Sequence, residues 1–156
     1  MTHIQIIDDD HWCGEAIVAF LIEETEGARF DVKRVPEADD GRDIYIVDNE
    51  FEDGDHGVSL VESIRRRNPD ATIVMCTATH DRIDATTAMN AGCNALVQKG
   101  CAAGRQTLME VVRRHMNSRA SSSSPSFLTA VTDIKAILAA WNTRMAQESS
   151  LAQSVG

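Results

Sequence analysis

The chain is expected to fold as an α/β protein, with one parallel sheet and helices on both of its faces. Three features of the sequence predict this. Short apolar or β-branched runs alternate with amphipathic stretches through the first 118 residues, the pattern of repeated βα units. Such units join parallel strands by right-handed crossovers, which puts helices on either side of the sheet. Polar residues also recur where strands end: Asp8-Asp9, Asp48, Thr77 and Lys99. Open α/β sheets hold ligands in the crevice outside their carboxyl edge, so these four stations would meet there.

Taken in order, the first strand is read over 3–7 and the first helix over 11–26. In that helix Ile17, Phe20, Leu21 and Glu24 follow the three-and-four spacing, with the three apolar residues facing inward. A second strand over 30–35 is followed by Pro36 to Arg42, only seven residues, too short for a full crossover helix. One helical turn or an irregular connection is expected there, so the second helix is shortened or absent. The most apolar strand covers 43–47. The helix over 57–68 turns Val58, Leu60, Val61 and Ile64 inward. It closes on Arg65-Arg66-Arg67, which suit the dipole, and stops at Asn68-Pro69. A strand over 71–76, a helix over 81–91 ended by Asn90-Ala91-Gly92, a strand over 94–98 and a helix over 104–118 complete the domain.

Residues 119–126 read as a Ser-rich linker, because Ser121–Ser124 and Pro125 do not pack. Over 127–147 Phe127, Val131, Ile134, Leu138, Trp141 and Met145 repeat at spacings of 4, 3, 4, 3 and 4, an amphipathic helix with a coiled-coil-like seam. Such a stripe needs a covering surface. Docking on the chain's own domain, a homodimer seam and contact with another protein all remain open. Residues 148–156 are expected to be a flexible tail.

Composition narrows the function. With 43% hydrophobic residues and few aromatics, the core must be built from Ile, Val, Leu, Ala and Met. The net charge is −9, and residues 1–60 hold 17 acids against 4 bases. A surface so acidic does not suit a nucleic-acid backbone. Cys13, Cys76, Cys93 and Cys101 lack CxxC spacing and are expected as free thiols in a reducing cytoplasm. Neither a signal peptide nor a membrane span is expected, since no run of about 18 apolar residues occurs. The five histidines lack zinc-ligand spacing, and the glycines form no phosphate-cradling loop. Trp12 is expected to pack, and His115 to lie on an exposed helical face. His56 and Asp55 would border the site as a solvated loop.

Adjacent carboxylates repel, so Asp8-Asp9-Asp10 is costly unless a cation sits between them. Mg2+ takes oxygen ligands and is often held by one or two carboxylates plus phosphate. The competing reading is an acid-rich helix N-terminus, common and mildly stabilising. The other stations shift the balance. A carboxylate beside a metal can attack phosphorus, a role available to Asp48. Thr77 could donate a hydroxyl hydrogen bond to a phosphoryl oxygen, and Lys99 could supply the counter-charge.

The segments Ile4 to Asp10, Asp43 to Asp48, Ile73 to Ala78 and Ala88 to Lys99 carry a resemblance. Over roughly residues 1–118 the chain resembles the receiver domain of two-component response regulators, including the separation of 22 between Thr77 and Lys99. The resemblance implies a flavodoxin-like, doubly wound five-stranded parallel sheet of order 2-1-3-4-5, here with an extra C-terminal helix. It implies Asp48 as phosphoacceptor, and Asp8, Asp9, Asp48 and the main-chain carbonyl of Glu50 as ligands of Mg2+. Thr77 becomes the switch hydroxyl, and Lys99 pairs with Asp48 or its phosphate. The expected partner is a sensor histidine kinase or histidine phosphotransfer protein in the cytoplasm, with self-catalysed phosphorylation and hydrolysis but no ordinary turnover. Output would run through protein contacts, because no helix-turn-helix pair follows.

Four departures from the family pattern stand out. Leu96 occupies the usual aromatic position, Gly100 replaces the proline after the lysine, the loop after Asp48 lacks a Met-Pro pair, and the second helix is missing. Two rival readings follow. A haloacid-dehalogenase-like phosphatase would take its nucleophile from the first strand, the reverse of the order here. A receiver-like adaptor that is never phosphorylated would work through the 127–147 helix.

Overall fold

In the computed structural model, residues 1–122 are described, apart from 53, 55, 56 and 79–82. The strands β1 (His3–Ile7), β2 (Arg29–Lys33), β3 (Ile44–Asp48), β4 (Thr72–Thr77) and β5 (Ala95–Gln98) form a single sheet. Its order is β2-β1-β3-β4-β5 and every pairing is parallel, as expected of a flavodoxin-like sheet. Four helices are described: α1 (His11–Ile22), α2 (Gly57–Arg67), α3 (Ala85–Ala91) and α4 (Ala102–Ser122).

The central strands are apolar without alternation because both of their faces are covered. Ile7, Tyr45, Val47, Ile73 and Met75 pack with Leu60, Val61 and Ile64 of α2 and with Ala88 and Ala91 of α3. On the other face Ile4, Ile6, Ile44, Ile46, Val74 and Val97 pack with Leu21 of α1 and with Leu108, Met109 and Val112 of α4. Edge strand β2 stays partly exposed, which matches its polar residues.

The crossover from β2 to β3 is irregular, as its length requires. Asp39 holds it to the sheet. Gln5 is fully buried in β1; its amide donates to Asp39 Oδ2 at 2.8 Å, and the Asp39 N–H donates to Gln5 Oε1 at 2.9 Å. Lys33 and Arg42 pair with the same carboxylate, and the Tyr45 hydroxyl donates to the Asp39 carbonyl at 2.6 Å. The hydrogen bond from Lys33, followed by that from Gln5, holds the Asp39 carboxyl below its ordinary value. A polar residue inside an apolar strand is therefore satisfied by a loop standing where a helix would be.

Several boundaries differ from expectation. α1 ends at Ile22, not 26, because the Thr25 hydroxyl turns back to the Leu21 carbonyl at 2.8 Å and Gly27 follows at φ 75°. α3 starts at Ala85, not 81, since Asp84 takes an extended backbone and accepts the Thr87 N–H at 2.8 Å. β3 and β4 each run one residue later than expected and include Asp48 and Thr77. α4 starts at Ala102 and runs to Ser122, so the first residues of the expected 119–126 linker are helical. The chain divides into two units, Met1–Asn117 and Ser118–Gly156. The expected seam over 127–147 lies outside the described residues, as do His56 and Asp55.

Two side chains expected to be bland act structurally. His115 is half-buried, not exposed, and its Nδ1 lies 2.8 Å from the Thr72 hydroxyl at the start of β4. Arg65 spreads its guanidinium over the carbonyls of Gly92, Pro69 and Ala71 and over the Asn94 side chain, tying α2 to the turn before β5. A lysine at that position cannot fork to several carbonyls. Arg65→Lys is expected to lower stability by about 1.5–3 kcal/mol in urea denaturation; an unchanged midpoint would mean that these bonds only replace water.

Candidate functional site

β1 and β3 are neighbours whose outgoing connections leave in opposite directions, so the sheet's switch point lies between them. Asp8 follows β1 and is held by its own N–H, which donates to the Lys33 carbonyl at 2.9 Å. Asp48 is the last residue of β3. Asp8, Asp9 and Asp48 each bring a carboxylate oxygen within 4.8 Å of the others. Lys99 leaves β5 with its N–H on the Thr77 carbonyl at 2.8 Å. Its ammonium lies 2.7 Å from Asp8 Oδ2 and 2.9 Å from Asp48 Oδ2.

The run of three aspartates splits into two roles. Asp10 caps α1, accepting from the N–H groups of Trp12 at 2.9 Å and Cys13 at 3.3 Å. Asp8 and Asp9 turn to the pocket. Asp8 Oδ1 accepts the Asp10 N–H at 3.1 Å, and Asp9 Oδ2 accepts the Glu52 N–H at 2.6 Å. Asp10 thus serves the helix start, while Asp8 and Asp9 belong to the carboxylate cluster with Asp48.

Asp8 is 1% exposed and Asp48 7% exposed, so three carboxylates and one ammonium share a poorly hydrated space. Burial raises the Asp48 pKa above its ordinary 3.8, and Asp8 adds to this; Lys99 and the Glu50 N–H oppose it. Burial would lower Lys99, but the carboxylates of Asp8 and Asp48 beside it outweigh that and hold it above its ordinary value. A carboxyl whose folded pKa is raised opposes folding when ionised, and stability returns as pH falls through the folded value toward 3.8. Without divalent cations, the stability of wild type relative to Asp48→Asn is expected to rise over that window in thermal melts. A pH-independent difference would contradict the burial argument.

The donor set fits Mg2+. Its oxygens are hard, its formal charge is two negative after Lys99, and Asp8 Oδ2 is a buried oxygen without a well-directed hydrogen bond. The Lys99 ammonium is close to that oxygen yet off the hydrogen-bond direction. A cation would satisfy it.

Thr77 is fully buried at the end of β4, one residue beyond Cys76, the register partner of Asp48. It reaches the same sheet edge, outside the carboxylate cluster. The Glu50 N–H faces the Asp48 carboxylate. Leu96 is half-buried against the α2 and α3 side of the core. Gly100 has φ 75°, which proline cannot adopt, so its departure from the family pattern is a requirement of this backbone. Trp12, expected to pack, is 80% exposed at the start of α1.

Sequence reading missed three contributors. The Cys13 thiol lies in the first turn of α1, where burial raises it, Lys99 opposes the rise and Asp8 adds to it. Glu52 acts only through its main chain, which no sequence signal marks. Gly57 opens α2 where a Cβ would lie 2.0 Å from the Asp48 carbonyl; a glycine just before an amphipathic run was its only sign. Burial pushes the deeper thiols up, Cys93 to about 11 and Cys76 still further.

Fold and site together define a doubly wound α/β domain with a cluster of three carboxylates and a lysine at its switch point. The family model for the response regulator receiver domain matches residues 4–113, and the chain belongs to that family. No curated protein matches the chain. Among solved structures, a receiver domain protein from Methanospirillum hungatei JF-1 aligns with TM-score 0.65 at 19% identity, covering 78% of this chain and 98% of that one. A receiver domain protein from Clostridium thermocellum aligns with TM-score 0.63 at 20% identity, covering 77% and 98%. Response regulator TrrA from Thermotoga maritima, solved in complex with Mg2+ and BeF, aligns with TM-score 0.62 at 25% identity, covering 74% and 99%.

Proposed function

We propose that this receiver takes a phosphoryl group on Asp48 from a phosphohistidine of a sensor kinase or phosphotransfer protein and signals through protein contacts. One observation carries the reading: the Lys99 ammonium lies between Asp8 and Asp48, with Asp9 in the same cluster, at the switch point. An Asp48 carboxylate oxygen attacks phosphorus; the new O–P bond forms as the N–P bond breaks, and the leaving imidazole keeps the electron pair. Lys99 then pairs with an oxygen of the transferred group. The Thr77 hydroxyl donates to another, which draws β4 toward Asp48 and biases the α3–β5–α4 face between two states. Asp8, Asp9, Asp48 and the Glu50 carbonyl would hold Mg2+, which when bound supplies charge neutralisation for the group in transfer.

Water later hydrolyses the acyl phosphate, so the protein resets without turning over a substrate. The cytoplasm is the proposed location. Among the described residues no helix is long and apolar enough to cross a membrane. Homodimerisation through the 127–147 helix is the proposed use of its seam. Leu96 in place of an aromatic favours one other reading, an adaptor that is never phosphorylated.

Titration with Mg2+ and beryllium fluoride tests the proposal, followed by Trp12 fluorescence and solution mass. Wild type should respond saturably and Asp48→Asn should not. A silent wild type would remove the phosphoacceptor reading and leave the adaptor. A change in mass on activation would assign the C-terminal helix to regulated dimerisation.

A further inference from the structure

Between α1 and the start of α4 lies a cavity of about 250 Å3 whose lining meets the acidic site at Cys13 and Lys99. Ala16, Ile17 and Phe20 of α1, Val97 of β5 and Leu108 of α4 make its walls apolar. Its opening is built in. Gly104 lines it and must be glycine, since a Cβ there would lie 2.0 Å from the Gln98 carbonyl. Gly100 has open space around it, but at φ 75° a larger side chain would strain the backbone. Neither position can carry a group that fills the gap.

The 21 residues of α4 begin with no acid in the first turn. The Gly104 N–H is capped only by Cys101 Sγ at 3.2 Å, a weak acceptor. Arg105 lies in that turn, is exposed, lines the cavity and makes no ion pair with any described residue. An apolar chamber therefore opens at an uncompensated positive helix end. Lys99, another lining residue, stands between the chamber and the carboxylates of Asp8 and Asp48.

We propose that this cavity binds a small monocarboxylate, its aliphatic body between α1 and α4 and its carboxylate on Arg105. Size sets the body. The volume exceeds the roughly 150 Å3 of an apolar cavity that takes benzene and falls below the ~300–1,000 Å3 of drug-sized pockets, so a chain of about eight carbons suits it. Charge sets the head, because a neutral hydrocarbon would leave Arg105 unused. The site stands whether or not Asp48 is phosphorylated.

Octanoate titrated into the isotopically labelled full chain, followed by amide NMR, tests this. Saturable shifts are expected at the start of α1, the end of β5 and the first turns of α4. Arg105→Ala and the neutral analogue octanol should each bind about tenfold more weakly. Ala16→Phe should abolish binding by filling the chamber. Both substituted positions are exposed, and the amide spectrum itself reports whether each variant keeps its fold. No saturation below about 10 mM octanoate, shifts centred elsewhere, or equal affinity in Arg105→Ala would overturn the assignment.

Discussion

Asp48→Asn is expected to cut phosphoryl uptake from a small acyl-phosphate donor by about ten thousandfold or more, to the background of the assay. The amide keeps the shape of the carboxylate but has no anionic oxygen to attack phosphorus. The neighbouring carboxylates do not substitute, because each is already committed. Asp8 is held by the Asp10 N–H and lies against Lys99, and Asp9 is held by the Glu52 N–H. The variant should fold, since Lys99 keeps Asp8 as partner and one buried like charge is gone. Intact-protein mass with acetyl phosphate and Mg2+ reads the result. Retained uptake, with the added group mapped to Asp8 or Asp9, would move the nucleophile and sink the assignment.

Lys99→Ala is expected to cost about 3–5 kcal/mol of stability when divalent cations are chelated, since it leaves Asp8 and Asp48 buried beside each other without their counter-charge. Lys99 is raised by its partners, so its contribution is fully present at neutral pH, falls as pH rises above the ordinary lysine value, and is gone once pH passes its folded pKa. The deficit should shrink in acid, where Asp48 takes up a proton and the repulsion falls. Mg2+ should restore part of it. At a hundred times its Kd a cation that binds only the folded state adds about 2.7 kcal/mol. Urea denaturation in chelator and in Mg2+ measures both terms. A variant as stable as wild type in chelator would mean that the ammonium does not hold the carboxylates together.

Much of the site was legible because its chemistry is strand-terminal. Asp8, Asp9, Asp48 and Lys99 each follow or end an apolar run, and parallel strands deliver their carboxyl ends to one edge whatever the loops do. The helix-less crossover was legible too, from seven residues between two strands. Element ends were less so. Thr25, Asp84 and Cys101 move helix boundaries through single hydrogen bonds that compete with the periodic pattern. His115 was misjudged, and the carbonyl contacts of Arg65 went unread, because a charged residue on an amphipathic helix looks the same whether it meets water or a carbonyl.

Periodicity and strand-end chemistry, read along the chain, determined the alternation of βα units and the set of groups that gather at the sheet edge. Both depend on spacing, which sequence records directly. Only the tertiary structure decided that Asp10 caps α1 while Asp8 and Asp9 enter the pocket, and that Gln5 is satisfied by Asp39. It also decided that glycine alone fits where α2 meets the Asp48 carbonyl. These depend on distances between segments far apart in the chain, set by packing after folding.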